Sequence, residues 1–159
     1  LFSDSIRNNV KFGSNEPEVS ELELDAVCET ADILHTIHQL EHGYETILGE
    51  RGVNLSGGQK QRLSIARSLL RKPEILVLDD CLSAVDTETE DKILKELQKE
   101  NEDRTTIIVS HRISTIRNAK HIIVIDDGGV VEQGSHTSLL KKKGLYFYIY
   151  KKKQSYIKN

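Results

Sequence analysis

Leu55-Ser56-Gly57-Gly58-Gln59 stands directly before Lys60-Gln61-Arg62 and a helix-forming run that reaches Leu70. Two adjacent glycines behind a serine, at the start of a helix, meet what a backbone needs to approach a phosphate. Glycine removes the Cβ that bars close approach, and a helix N-terminus offers unpaired N–H groups with partial positive charge. Taken alone, Ser-Gly-Gly also satisfies a turn followed by a helix cap. The spacing predicts a helix over 57–70 with Leu63, Ala66, Leu69 and Leu70 inward, ended by Pro73.

Ile75-Leu76-Val77-Leu78 is an apolar run ending in Asp79-Asp80, which reads as a buried parallel strand with carboxylates at its C-terminal end. Open α/β sheets place ligands at that edge. Two neighbouring acids there suit Mg²⁺ coordination and the orientation of a water, although a strand leaving a core for a solvated loop has the same pattern. Ser83-Ala84-Val85-Asp86 follows, then a helix for which Thr87-x-x-Glu90 is read as a capping box and Ile93, Leu94 and Leu97 as the apolar face. A second apolar strand, Thr106-Ile107-Ile108-Val109, ends in Ser110-His111. Histidine titrates near neutral pH but serves equally as an ordinary polar residue.

The flanking segments are read in the same way. Val19 to Leu40 is helical in pattern, with Ser20-x-x-Glu23 as a cap, Leu24, Val27, Ala31 and Leu34 recurring on one face, and Gly43 stopping it. A strand over 121–125, a turn over Asp126-Asp127-Gly128-Gly129 and a return at Val130-Val131-Glu132 predict a hairpin. Ser135 is placed to cap a final helical region, in which Leu145, Tyr148 and Ile149 recur at helical spacing between Lys141–Lys143 and Lys151–Lys153. Aromatics among lysines suit nucleic acid or a membrane surface, but an amphipathic helix packed on its own domain has the same pattern.

At 159 residues and 37% hydrophobic, the chain can bury one modest core. It has no apolar run near the ~20 residues needed to cross a bilayer. A net charge of −3 gives no general reason to expect nucleic acid or an anionic membrane as partner. Cys28 and Cys81 are far apart without a C-x-x-C pattern, which fits a reducing setting, and Cys81 is read as a small packing residue.

The run 55–59 resembles the signature motif of ABC-type ATPases. The acidic strand end at Asp79-Asp80, then Ser83-Ala84-Val85-Asp86, then strand-His111 are similar, in order and spacing, to the Walker B, D-loop and switch-histidine series of ABC nucleotide-binding domains. The resemblance covers nearly the whole chain, which is identified as a member of that family. It implies an α/β fold: a partial P-loop NTPase (RecA-like) core with a parallel sheet, plus the ABC helical subdomain. Residues 1–72 are expected to form the helical subdomain and signature helix, and 73–159 the second half of the ATPase core with C-terminal helices. Leu1 to Val10 resembles the segment after the glutamine loop of ABC exporters, and the stretch from Gly43 through Glu50-Arg51-Gly52 resembles the exporter form of the helical subdomain.

A Walker A loop, G-x-x-x-x-G-K-[ST], is absent from these residues. Gly52 and Gly57, like Gly129 and Gly134, have the glycine spacing, but Gly58 and Ser135 stand where lysine is required. The sequence also lacks methionine, so a C-terminal part of a nucleotide-binding domain, inactive by itself, is expected.

What the resemblance implies for chemistry is ATP hydrolysis, with Mg²⁺, shared between two domains and powering export across a membrane. Ser56, Gly57, Gly58 and Gln59 are then expected to meet the ATP of a second nucleotide-binding domain. Asp79 is expected to hold Mg²⁺ through water, with Asp80 and His111 as catalytic residues at the domain's own ATP. Ser83 and Asp86 are placed at the seam between domains. The expected partners are that second domain and a transmembrane domain of the same protein, at the cytoplasmic face of the cell membrane, with no nucleic acid. Asp80 stands where the family commonly has glutamate, one methylene longer. That departure predicts a weak own site in one subunit of a heterodimer, whose intact signature serves a different partner. Two other classes remain: a non-transport ABC ATPase, against which the exporter-like segments argue, and a non-enzymatic interaction fragment.

Overall fold

The helix behind the two glycines organises the larger of two compact units, Leu1–Val109 and Ser110–Asn159. The structure, a computed structural model, describes every residue except 15, 17, 50–52, 100–103 and 158–159, and leaves out the side chains of 153–157. The Glu50, Arg51 and Gly52 reading therefore lies outside the described residues.

In the first unit the order is α1 (Ile6–Lys11), α2 (Glu21–Thr30), α3 (Leu34–His38), a 3₁₀ turn (Gly43–Glu45), α4 (Gly57–Leu70), β1 (Ile75–Asp79), α5 (Thr87–Lys99) and β2 (Thr105–Val109). The buried side of α4 carries Leu63, Ile65, Ala66, Leu69 and Leu70, which share one core with Ile6 and Val10 of α1 and Leu24 and Cys28 of α2. Each large aliphatic side chain buried there contributes about 1.5–3 kcal/mol. A polar clamp fixes α1 on α4. Arg67 donates through Nε to the Asn9 carbonyl (2.8 Å) and through Nη2 to Asn9 Oδ1 (2.9 Å).

The single helix expected over 19–40 is broken. α2 opens with the predicted Ser20–Glu23 capping box, but ends at Thr30, and Asp32 takes a left-handed backbone (φ 52) before α3 begins. Aspartate is among the few side-chain-bearing residues that tolerate this conformation. Arg62 of α4 donates to both the carbonyl and the carboxylate of Asp32, tying the break to the central helix.

β1 and β2 pair in parallel, from Ile75↔Thr105 to Asp79↔Val109, with α5 as the crossover that parallel strands require. The expectation of a fully buried strand is corrected. Leu76 and Leu78 are 3% exposed, whereas Ile75 and Val77, pointing the other way, are 62% and 58% exposed. α5 buries Glu90, Ile93, Leu94 and Leu97, the anticipated face with one acid added.

The second unit comprises α6 (Ile113–Ile116), β3 (Ile122–Asp126), β4 (Gly129–Gly134), α7 (His136–Lys142) and α8 (Leu145–Ile157). β3 and β4 form the expected antiparallel hairpin, turned by Asp127 (φ 47) and Gly128 (φ 74); two successive positive φ values suit the strand twist. Ser135 caps α7, accepting from the Ser138 N–H. The α8 reading is corrected: Leu145, Tyr148 and Ile149 lie exposed, and Tyr146 enters the core with Ile113, Ile122 and Leu139. A buried tyrosine needs a partner for its polar tip. Tyr146 Oη meets His136 Nδ1 at 2.7 Å, and its N–H donates to Glu132 Oε2 at 2.7 Å. Among the described residues, no helix is long and apolar enough to cross a membrane.

Candidate functional site

Ser56 is the N-cap of α4, and the capping box is complete. Ser56 Oγ accepts from the Gln59 N–H (3.2 Å), and Gln59 Oε1 accepts from the Ser56 N–H (2.8 Å). The N–H groups of Gly57 and Gly58 lie between these two and have no protein acceptor among the described residues. Ser56 and Gly57 are exposed. A 14-residue helix thus carries two unpaired backbone donors at its positive end, Gly57 exposed and Gly58 half-buried, which suits an anion such as a phosphate.

The two glycines are not equivalent. A Cβ on Gly57 would meet only Ala84 Cβ at an ordinary 3.5 Å, whereas a Cβ on Gly58 would stand 2.7 Å from the Ala84 carbonyl oxygen. Gly58 is therefore required by the loop after β1, independently of any ligand.

That loop carries the acidic pair and the Ser83–Asp86 segment. Asp79 ends β1, and Asp80 follows with a left-handed backbone (φ 46); both are exposed. Asp80 donates its N–H to the Val109 carbonyl (2.9 Å), which anchors it on β2. Ser83 Oγ donates to the Asp80 carbonyl (2.8 Å). Gln61, four residues after Gly57 and so on the same helical face, reaches across to this segment. Its Nε2 donates to Ser83 Oγ (2.9 Å), and its Oε1 accepts from the Ala84 N–H (2.9 Å). The sequence reading missed Gln61; the one signal available was its position one turn beyond the glycines.

Asp86, not Thr87, caps α5, which corrects the expected Thr87–Glu90 box. Asp86 Oδ1 accepts from the Thr89 N–H (3.0 Å), and its carbonyl accepts from the Glu90 N–H (2.9 Å). Thr87 is thus the first helical residue. Hydrogen bonding by Thr89 holds the Asp86 carboxyl below the usual carboxylate range. Cys81 packs half-buried against the core, and burial pushes its thiol up to about 11, as it does for fully buried Cys28. Both fit packing roles.

The first unit therefore gathers the signature residues Ser56 to Gln59 with the loop from Asp80 through Ser83 to Asp86. His111 is exposed and belongs to the second unit. Among the described residues no cluster of three or more His, Cys, Asp or Glu side chains forms a metal cage. Asp79 and Asp80 suit an ion held by one or two carboxylates together with phosphates and water, which is how Mg²⁺ is usually bound.

Comparison with known proteins gives the family. The family model described as ABC transporter matches residues 3–83. An ATP-dependent lipid A-core flippase of Pectobacterium atrosepticum is 45% identical over 92% of this chain and 25% of its own length. The multidrug resistance-like ATP-binding protein MdlA of Buchnera aphidicola is 49% identical over 100% of this chain and 28% of its own. Among solved structures, a bacterial Atm1-family ABC exporter with ATP bound superposes with a TM-score of 0.90 at 44% identity, covering 96% of this chain and 27% of that one. The chain spans about a quarter of the length of these curated relatives. A signature helix keyed onto the loop that follows an acidic parallel strand, together with these likenesses, establishes that the chain belongs to the ABC transporter family and has the fold of its nucleotide-binding domain.

Proposed function

We propose that this chain is part of a nucleotide-binding domain that hydrolyses ATP to drive export across a membrane. The observation that carries this reading is the pair of unpaired N–H donors at Gly57 and Gly58, on a helix whose Gln61 hydrogen-bonds to Ser83 and Ala84 in the loop that follows Asp80. Likeness to proteins named as flippase, multidrug resistance-like protein and exporter supports the transport direction.

In this reading Ser56 Oγ and the N–H groups of Gly57 and Gly58 bind the γ-phosphate of ATP held by a second nucleotide-binding domain. Gln59 keeps its side chain in the capping box, and so fixes the direction of those donors. Asp79 and Asp80 serve the ATP of their own domain, with Asp79 holding Mg²⁺ through water and Asp80 orienting the attacking water. The metal supplies neutralisation of phosphate charge when bound. His111 contacts the γ-phosphate as the switch, and Ser83 and Asp86 line the seam. Catalysis of this kind is positioning plus charge stabilisation, so no nucleophilic side chain is required. Residues 1–72 act as helical subdomain and signature, and 73–159 as the second half of the ATPase core. The full protein joins them to a transmembrane domain at the cytoplasmic face of the membrane.

Asp80 makes the domain's own site the slower one. Its carboxylate stops about 1 Å short of a glutamate's, and a misplacement of that size costs on the order of 100-fold in rate. The partner is then a different subunit whose competent site this signature completes. The 159 residues alone, without a G-x-x-x-x-G-K-[ST] loop, turn over no ATP. ATPase assays on the full-length protein assembled with its partner subunit in lipid nanodiscs test the reading, and a wild-type assembly without Mg²⁺-dependent activity refutes it. In the same assay Asp80→Glu raises turnover at the weak site; an unchanged rate removes the degenerate-site account.

A further inference from the structure

We propose that Gln61 is a positioning residue that couples the phosphate-facing end of the signature helix to the backbone of Asp80, and so links the two ATP sites each domain serves. The inference rests on the ATPase reading and deepens it. Gln61 bonds in opposite senses to adjacent residues, donating to Ser83 Oγ and accepting from the Ala84 N–H, each at 2.9 Å, and its Nε2 also reaches the Asp80 carbonyl at 3.5 Å. A side-chain amide carries a donor and an acceptor on separate atoms of one neutral terminal group, so it can bridge two neighbouring residues; an ionised glutamate cannot donate and lysine cannot accept.

Both partners of Gln61 lead somewhere. Ser83 passes its own proton to the Asp80 carbonyl at 2.8 Å, while the Asp80 N–H is held by Val109, so the left-handed residue is gripped on both sides. Ala84 presents the carbonyl that closes on Gly58, with room for no Cβ. A shift of Gly57 and Gly58 toward a phosphate therefore moves Ala84 by contact, and Gln61 carries Ser83 and the Asp80 carbonyl with it. The chain of contacts runs from backbone donors that face one ATP to the residue that orients water at the other.

A purely structural staple would hold the same bonds, but with a different signature when cut. It would lower melting temperature and the yield of active protein, and leave kcat per folded molecule unchanged. The test uses the full-length protein in nanodiscs, with ATP and Mg²⁺, after the wild type has shown activity; an inactive wild type refutes the ATPase reading rather than this inference. Gln61→Ala is expected to lower kcat on the order of 10- to 100-fold and to leave KM for ATP within about twofold. Gln61→Glu, which keeps the acceptor for Ala84 and loses the donor to Ser83, falls between. Ser83→Ala breaks the relay from the other side, and the double variant is no slower than the slower single, because both cut one bridge. Wild-type kcat in folded Gln61→Ala, or additive losses in the double variant, overturns the proposal. Should Gln61→Ala fail to fold, Gln61→Glu and Ser83→Ala carry the same cycle, and wild-type kcat in both overturns it equally.

Discussion

The unequal surroundings of Gly57 and Gly58 allow a paired substitution that separates packing from ligand binding. In Gly58→Ala the new Cβ starts 2.7 Å from the Ala84 carbonyl oxygen, a backbone atom. Ordinary C···O contact lies near 3.3–3.6 Å, so the loop or the helix must retreat by about 0.6–0.9 Å. The Ala84 N–H to Gln61 bond, now 2.9 Å, does not survive a displacement of that size along its axis. Overpacking costs about 1–3 kcal/mol, and the lost hydrogen bond about 1. Alanine recovers at most about 1 kcal/mol of helix propensity. The net effect is about 1–3 kcal/mol against the closed contact, which is on the order of tenfold or more in local opening. Gly57→Ala meets only a 3.5 Å methyl contact and is neutral or slightly stabilising. Hydrogen exchange of the nucleotide-free full-length protein reads both, through peptides spanning 57–62 and 80–86. Faster exchange in Gly58→Ala but not Gly57→Ala is expected. Equal exchange in the two variants would refute the close-approach account and leave phosphate access as the reason for both glycines.

Other outcomes follow from single contacts. Asp86→Ala lowers exchange protection at the start of α5, whereas Asp86→Asn keeps it. Because the folded carboxyl titrates below its unfolded value of ~3.9, the capping contribution is complete above that value and is lost as pH falls through the lower, folded one. The margin of the wild type over Asp86→Ala therefore shrinks in strong acid, while that of Asp86→Asn does not, and a wild-type margin unchanged by pH would contradict the assignment. Alkylation by iodoacetamide at about pH 8 is slowed on the order of 100-fold relative to the unfolded chain, since both thiols are raised to about 11. Cys81, half-buried, is modified before Cys28, and the reverse order would show that the first core opens more readily than its packing allows. Tyr146→Phe removes the 2.7 Å bond to His136 and costs about 1–2 kcal/mol, read as faster exchange in α7 and α8. Unchanged exchange would mean that the ring alone holds α8.

What the sequence made legible was whatever depends on local pattern. The helix 57–70 follows from apolar residues three and four apart, and the hairpin over 122–134 from strand runs around an Asp-Gly turn. Two of the misses turn on a choice between two equally good local patterns. Asp86 and Thr87 are both fit to cap a helix, and the carboxylate takes the position because it accepts directly from Thr89. Leu145, Tyr148 and Ile149 share one face of α8 while Tyr146 and Tyr150 share another, and the Tyr146 hydrogen bond to His136, ten residues earlier, decides between them. The break at Asp32 depends on Arg62, thirty residues later, and Gln61 reaches its partners across a similar gap. None of these long-range bonds leaves a periodic trace.

Asp80 shows how the two levels combine. From sequence it is a shortened acid where the family resemblance leads one to expect glutamate, and the difference reads as lost catalytic reach. The backbone adds a second pressure, because φ 46 lies in the left-handed region, where aspartate is several-fold favoured over longer side chains. Ser83 and Val109 hold the carbonyl and N–H of Asp80, so the residue cannot relax that backbone without releasing the loop from β2 and, through Gln61, from the signature helix. Reach therefore favours glutamate at this position and backbone shape favours aspartate. Asparagine suits the same backbone but has no charge, so Asp80→Asn keeps the loop closed and loses the carboxylate, whereas Asp80→Glu gains reach at a cost of about 1 kcal/mol in the loop. Under the proposed function, in which the signature serves a partner's ATP and the domain's own site runs slowly, the loop shape is kept because Gly58 seats against that loop at Ala84.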